Sequence, residues 1–411
     1  MKKFLIILTV LLFGTAAFFV SFADAAKPTI KHYGIVDLTG PYGILVPDVW
    51  EGMLDYYRYI NEKEGGIDGS PIKLIWGETG NMMARTWSHY KRYKRAGCKF
   101  LWLASTPDGE ALKKILGRDK IFAFNLSSTE PQIYPPGWLY GDGCAYSEAF
   151  ASFLKMAKRD WEKEGKKGKL KVGIMGPDTS YGRALEAGKE FGEKMGIDIL
   201  GQEYPPVVPI DLTAQILRLK EKGADWIWMQ GLSQICTVFM KNMASLGLQG
   251  KIRVAGWWWT SGAEMLRRIS PKFSEGYIFA SYSYLPQVEK DHPGIKKCRE
   301  IRQKYHKKDP CEYYIRGIRA AQFIVELTRR TQKKYGFKGL TPENYLSTIE
   351  TFKDWHCPWD LGAPFDIKPN DRRTAKKLLF YQVKSGKLVR YSDWIDAPHL
   401  YPEDMAHLFE K

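Results

Sequence analysis

Short apolar runs alternate with amphipathic segments along most of this 411-residue chain, and that alternation restricts the fold more than any other feature. Residues 30–38 read as a strand, and Gly40-Pro41 as a turn. Over 48–63, Val49, Met53, Tyr57 and Ile60 recur at helical spacing, and Gly65-Gly66 supplies the stop that a helix end favours. A strand is predicted over 71–76, a helix over 82–96 and a strand over 99–104. A helix over 108–117 and a strand over 120–126 follow. The pattern then restarts, with strands at 169–175, 197–204, 225–230 and 251–255. Helices at 181–195, 212–222 and 234–246 separate them, and Asp211 is placed to cap the second. The Lys-, Glu- and Gly-rich stretch 156–169 reads as a polar loop between the two halves. Beyond, 312–334 is a long helix, and Thr341-Pro342 opens another. Residues 376–382 and 387–391 form a hairpin around Ser385-Gly386. Such alternation demands parallel sheets covered by helices on both faces. The expected fold is α/β, with two doubly wound parallel-sheet domains.

The N-terminus carries the marks of an export signal. Lys2 and Lys3 precede a mostly apolar run from Phe4 to Val20, and Ala23-Asp24-Ala25 offers the small residues at which such leaders are cut. The apolar run falls just short of the ~20 residues of a spanning helix. No cysteine stands at the cleavage point, which argues against a lipid anchor. A signal peptide over 1–25 and a periplasmic mature protein starting at Ala26 are expected. The remainder suffices for two domains of about 190 residues. The net charge of +16 owes only +1 to the leader. Its basic residues are interspersed with acids, as in a solvated surface, and export argues against nucleic acid. Six cysteines are too few to staple a chain of this length, so the core must come from packing. Cys98 and Cys236 lie in apolar stretches and read as buried thiols, while Cys298 and Cys311 flank a polar loop and could pair.

Catalytic signatures are missing. The seven histidines form neither HxxxH nor HExxH, and the chain has no GxSxG elbow and no phosphate loop with its lysine. No catalytic residue, metal site or cofactor is assigned, and an enzyme is not expected. Polar loops at strand ends stand out instead: 39–43 with Tyr42, 105–109 with Ser105 and Thr106, and 127–129 with Ser127, Ser128 and Thr129. Tyr181 follows the first strand of the second half. In parallel α/β domains ligands bind at the carboxyl ends of strands. Hydroxyls and free N–H groups there suit a small anion, typically a carboxylate.

At these loops the chain resembles the periplasmic substrate-binding proteins of branched-chain amino acid ABC transporters and their amide-binding relatives. The likeness runs from about 30 to 390. It is carried by Leu38-Thr39-Gly40-Pro41 through Asn61 to Gly65-Gly66-Ile67-Asp68-Gly69, by Thr129-Glu130-Pro131 and by Tyr181-Gly182. Ile210 to Leu217 with Gly223-Ala224-Asp225, and Phe365-Asp366 before Asn370-Asp371-Arg372, extend it. The resemblance implies two lobes joined by a three-crossover hinge, with 26–146 plus 282–358 in one and 147–281 plus 359–411 in the other. It implies a first lobe gripping a carboxylate through Ser105 or Thr106, Ser127 and Thr129, and Tyr181 closing from the second. Where the family places a glutamate for the ligand's ammonium, this chain carries Trp258. Tyrosines expected near 232–233 are Leu232 and Ser233, and the cleft aromatic after the first Gly-Pro falls near Leu45, with Tyr42 close by. Glu264 could substitute for the missing acid, but its place on the following helix predicts that it faces solvent. The implied partners are a small solute and an ABC permease, with no nucleic acid and a monomeric protein. The expected solute is a small carboxylate, aromatic or apolar, without an α-amino group. A branched-chain amino acid, an amide, or a ligand-sensing role for the same fold are the alternatives.

Overall fold

The computed structural model describes residues 27–400, so the leader lies outside the described residues. The first sheet contains β1 (Ile30–Val36), β2 (Ile72–Glu78), β3 (Phe100–Leu103), β4 (Phe122–Asn125) and β5 (Leu139–Gly141). Its order is β2-β1-β3-β4-β5, and every pairing is parallel. The second contains β6 (Lys171–Met175), β7 (Asp198–Glu203), β8 (Trp226–Met229), β9 (Arg253–Gly256) and β10 (Ile278–Ser281). It is extended by β11 (Lys377–Lys384), β12 (Lys387–Arg390) and β13 (Ile395–Asp396). Its order is β12-β11-β10-β9-β8-β6-β7, with β13 on β11. The parallel part ends at β10, and β11 and β12 add antiparallel strands. Ser385 and Gly386, both at positive φ, make the tight turn between them.

Local chemistry sets the elements. The helix Val46–Glu64 stops at Gly65, whose φ of 67° is left-handed. Asn61 then clamps the next strand: its amide donates to the Ile72 carbonyl at 2.8 Å, and its oxygen accepts from the Ile72 N–H at 2.9 Å. Asp211 accepts from the Thr213 N–H at 3.0 Å at the start of helix Thr213–Glu221. Thr341 caps Pro342–Ile349 through the Asn344 N–H.

Three expectations need correction. The stretch 156–169 is a loop only from Glu164 onward: a helix runs over Tyr146–Lys163. Apart from the buried Glu148, its charged residues lie on the outer side, while Phe150 and Phe153 pack on Trp228 of the second sheet. The helix predicted over 181–195 is broken into Ser180–Arg183 and Glu186–Lys194. The Ser147 hydroxyl donates to the Ala184 carbonyl at 3.3 Å, and Leu185 leaves helical geometry. All six cysteines are buried and unbridged, so Cys298 and Cys311 do not pair. Cys311 instead accepts from Arg302 Nη1, and burial raises both thiols.

The chain passes between the sheets three times: from β5 into helix 146–163, from β10 into helix Pro293–His306, and from helix 342–349 to β11. The passages are laced together. Gly143 N donates to Thr374 Oγ1 at 3.0 Å, and Thr374 N donates back to the Gly143 carbonyl. Ala363 N donates to the Tyr282 carbonyl, and Tyr284 N to that of Leu361. Gly143 must be glycine: its φ is 97°, and a Cβ would strike the Tyr282 ring.

Helix Glu312–Tyr335 crosses helix 46–64 at short range. A Cβ on Gly317 would collide with the backbone carbonyl of Val49, and one on Gly52 with that of Tyr314. Gly317→Ala gains up to about 1 kcal/mol of helix propensity. The clash is with backbone, which cannot rotate away, and overpacking costs about 1–3 kcal/mol. Net destabilisation is therefore expected, read as a lower urea midpoint. An unchanged or higher midpoint would show that the helices do not meet this closely.

Candidate functional site

The predicted loops all follow carboxyl ends of strands. Tyr42 follows β1, Ser105 and Thr106 follow β3, and Ser127 to Thr129 follow β4. From the other sheet come Tyr181 after β6, Leu232 after β8 and Trp258 after β9. Strands of a parallel sheet point the same way, so each sheet delivers its loops to one edge, and the two edges face each other.

The meeting point is Tyr146, the first residue of helix 146–163. Its hydroxyl faces the Thr106 and Ser127 hydroxyls of the first sheet, which lower its pKa against the effect of burial. It also accepts from Trp259 Nε1 of the second at 3.4 Å. The Tyr181 ring meets it edge-on at 4.9 Å, and the Tyr181 hydroxyl donates to the Gly231 carbonyl at 2.9 Å. Leu232 is buried directly after that carbonyl. Tyr42 joins the group: burial raises its hydroxyl pKa, reinforced by Tyr146, Asp37 and Asp108.

The remaining hydroxyls are engaged differently. Ser105 Oγ caps helix Thr106–Asp119 by accepting from Asp108 N at 3.2 Å. Ser127 Oγ accepts from Gln132 Nε2 at 3.2 Å. Ser128 Oγ lies against Gly141 and has no hydrogen-bond partner, while its carbonyl accepts from Tyr146 N. Thr129 Oγ1 donates to Glu110 Oε1 at 2.8 Å. The Ser180 hydroxyl of the other sheet's loop also lowers the Glu110 pKa, against the effect of burial.

Trp258 lies in a short 3-10 turn, Trp258–Thr260, stacked on Trp259 with centroids 3.5 Å apart. The Trp258 ring also meets a cation: the Arg316 guanidinium carbon is 3.3 Å from the ring centroid. Tyr282 flanks the same guanidinium at 4.6 Å. Arg316 Nε donates to Asp142 Oδ2 at 2.9 Å, and Nη2 to the Leu126 carbonyl at 2.7 Å. Leu126 immediately precedes the Ser127–Thr129 loop. Glu264 is not at this place and does not face solvent. It is 7% exposed and accepts from Arg267 Nε at 2.9 Å and from Arg268.

The profile of the family described as periplasmic binding protein matches residues 34–387. The chain belongs to the periplasmic binding protein family. Among relatives, a Leu/Ile/Val-binding protein homolog 7 of Brucella abortus (strain 2308) is 22% identical, over 89% of this chain and 92% of its own. A branched-chain amino acid ABC transporter protein from Thermus thermophilus, solved with bound valine, shares the fold at a TM-score of 0.80. It is 21% identical and aligned over 91% of this chain and 98% of its own. A solute-binding protein of an ABC transporter from Rhodopseudomonas palustris BisB5, in complex with 3,4-dihydroxybenzoic acid, has a TM-score of 0.73. It is 18% identical over 91% and 99% of the two chains.

Sequence reasoning missed Tyr146, Arg316 and Glu110. Tyr146 carries no motif. Arg316 sits mid-helix, where a basic residue reads as solvated surface; its one signal is Arg319 three residues on, in the apolar run from Tyr313 to Val325. Among the described residues of this periplasmic binding protein, no group of three or more His, Cys, Asp or Glu is arranged to hold a metal. Nor is any helix among them long and apolar enough to cross a membrane.

Glu110 yields a pH prediction. Burial raises its carboxyl above the ordinary 4.5, against the effect of the Thr129 and Ser180 hydroxyls. A raised carboxyl binds its proton more tightly when folded, so ionisation costs stability as pH rises through the raised value. Glu110→Gln keeps the acceptor oxygen and cannot ionise. The variant's melting temperature should match wild type at pH below 4.5 and gain on it toward neutrality. A difference that does not vary with pH would remove Glu110 from the buried contact between the two sheets' loops.

Proposed function

We propose that this protein is the periplasmic solute-binding component of an ABC importer, exported by the leader over 1–25 and working as a monomer. It takes up a small organic carboxylate between its two sheets and hands it to the permease. The observation that carries this reading is the convergence at Tyr146: hydroxyls of Thr106 and Ser127 from one sheet, and Tyr181 and Trp259 from the other, meet around one phenol. A solute bound there touches both halves and so favours the closed arrangement.

The two lobes follow the sheets. Among the described residues, the first comprises 27–146 with 282 to about 367, and the second comprises 147–281 with 377–400. The third crossing belongs at 368–376 and not at 359, because Phe365 stacks on Phe323 of helix 312–335 with centroids 4.2 Å apart. The Ile367 N–H likewise donates to the Phe352 carbonyl on the first-sheet side.

The carboxylate assignment is supported by the hydroxyls of Thr106 and Ser127 at the loop edge. Absence of an α-amino group follows from Trp258, which offers no charge to neutralise an ammonium. A buried unpaired charge costs several kcal/mol, and a cation–π contact returns only about 2. The aromatic acid of the Rhodopseudomonas neighbour and the valine of the Thermus one mark the two chemistries to separate. Catalysis has no place in this reading.

A thermal-shift screen of aromatic acids, aliphatic acids, amino acids and amides should find its strongest stabilisers among acids without an amino group. With such an acid at saturation, small-angle scattering should give a smaller radius of gyration than without it. A protein stabilised by none of these classes, or a profile unchanged by a stabilising one, would contradict closure on a carboxylate.

A further inference from the structure

The junction between the two halves holds more buried positive charge than negative. Arg316 and Arg319 lie one turn apart on helix 312–335 and share a single carboxylate, Asp142. None of the three side chains is more than 3% exposed. Asp142 Oδ2 accepts from Arg316 Nε at 2.9 Å and from the Tyr282 hydroxyl at 2.9 Å. Arg319 Nη1 approaches Oδ1 only to 3.6 Å. Arg319 Nη2 donates to the Ala363 carbonyl at 2.6 Å, and Arg316 Nη2 to that of Leu126. Arg316 Nη1, Arg319 Nε and Arg319 Nη1 have no hydrogen-bond partner. Two guanidiniums against one carboxylate leave one uncompensated positive charge in a buried place.

The two arginines differ in what they face. Arg319 is turned back into the first lobe, its guanidinium 3.9 Å from the Phe365 ring centroid. Arg316 lies at the boundary: beneath Leu126 and its hydroxyl loop on one side, against Trp258 and Trp259 of the second sheet on the other. Its charge also reaches the phenols of Tyr146 and Tyr181. Arg316 therefore stands where the polar loops of both sheets meet, with an N–H to offer.

We infer that Arg316 receives the anionic group of the solute through Nη1, and that the solute is a net monoanion. This rests on the solute-binding reading and sharpens it. A carboxylate arriving at Arg316 satisfies the orphaned donor and brings the cluster of two cations and one anion to neutrality. A charge-assisted N–H to carboxylate bond is about twice as strong as a neutral one. An amide satisfies the donor but leaves the charge. A zwitterion brings its ammonium into a buried region that already has a cation in excess, where like charges interact strongly. A dianion would overshoot neutrality. The indole of Trp258 needs no proton or counter-ion to accept the flat guanidinium, so it holds Arg316 in place without competing for Nη1.

Calorimetric titration tests this with matched probes: benzoate against benzamide, and 4-methyl-2-oxopentanoate against L-leucine. In the wild type an acid should bind more tightly than its neutral or zwitterionic partner. Arg316→Gln should weaken the acid by about tenfold to a hundredfold, as loss of a charged hydrogen bond does. Arg316→Lys keeps the charge and should recover part of that affinity, which a merely structural role would not reproduce. Circular dichroism of both variants without solute separates misfolding from lost recognition. Three results overturn the inference and leave the solute-binding reading standing. These are tighter binding of benzamide or L-leucine than of the matched acid, undiminished acid binding by Arg316→Gln, and equal losses in the Gln and Lys variants that both melt as wild type. Failure of all four probes to bind counts against both.

Discussion

The ion pair between Arg316 and Asp142 joins more of this molecule than any other single contact. Asp142 stands on the first passage between the sheets, immediately after β5. Tyr282, which donates to the same carboxylate oxygen, stands on the second. The third passage runs beside the first, tied by Thr374 to Gly141 and Gly143. Helix 312–335 brings Arg316 to this junction, and the close crossing at Gly317 and Gly52 fixes that helix on helix 46–64. Polarity at the cleft and continuity of the three passages therefore share the same few side chains. A change of charge at Arg316 is felt where the chain would bend.

That arrangement gives a physical route from binding to motion. Lobe closure needs contacts that exist only when both halves are together. Tyr146 supplies neutral ones, facing hydroxyls of the first sheet while Trp259 donates from the second. Glu110, bonded to Thr129, faces Ser180 of the other sheet's loop. Arg316 adds a charged one, set between Leu126 and Trp258. The basic surface, by contrast, is distributed in pairs with acids, such as Lys304 with Glu62 and Lys94 with Asp119, and such pairs add little.

The alternation of apolar runs and amphipathic segments made the two sheets legible, because a buried parallel strand needs a short apolar run and its crossover needs a helix. Strand ends were legible for the same reason, and with them the loops bearing Tyr42, Thr106, Ser127, Tyr181 and Trp258. What escaped the sequence depends on long-range partners. The break after Arg183 arises from a serine in another helix. The length of helix 146–163 was hidden because its outer face is as polar as a loop. Phe365 stacks on Phe323 of helix 312–335, which no local pattern announces. Arg316 escaped because a buried arginine and a solvated one look alike until the carboxylate they share is known. Trp258 was legible as a departure from the family, but not what it faces. The indole lies over a cation of the protein itself.

A crystal structure of the protein with a solute that raises its melting temperature would test the account most directly. The account predicts an anionic oxygen of that solute within hydrogen-bond distance of Arg316 Nη1, with Asp142 retained on Nε and Tyr146 and Tyr181 enclosing the rest. A solute presenting an ammonium to the Trp258 side of the cleft, with Arg316 Nη1 still unpartnered, would contradict it.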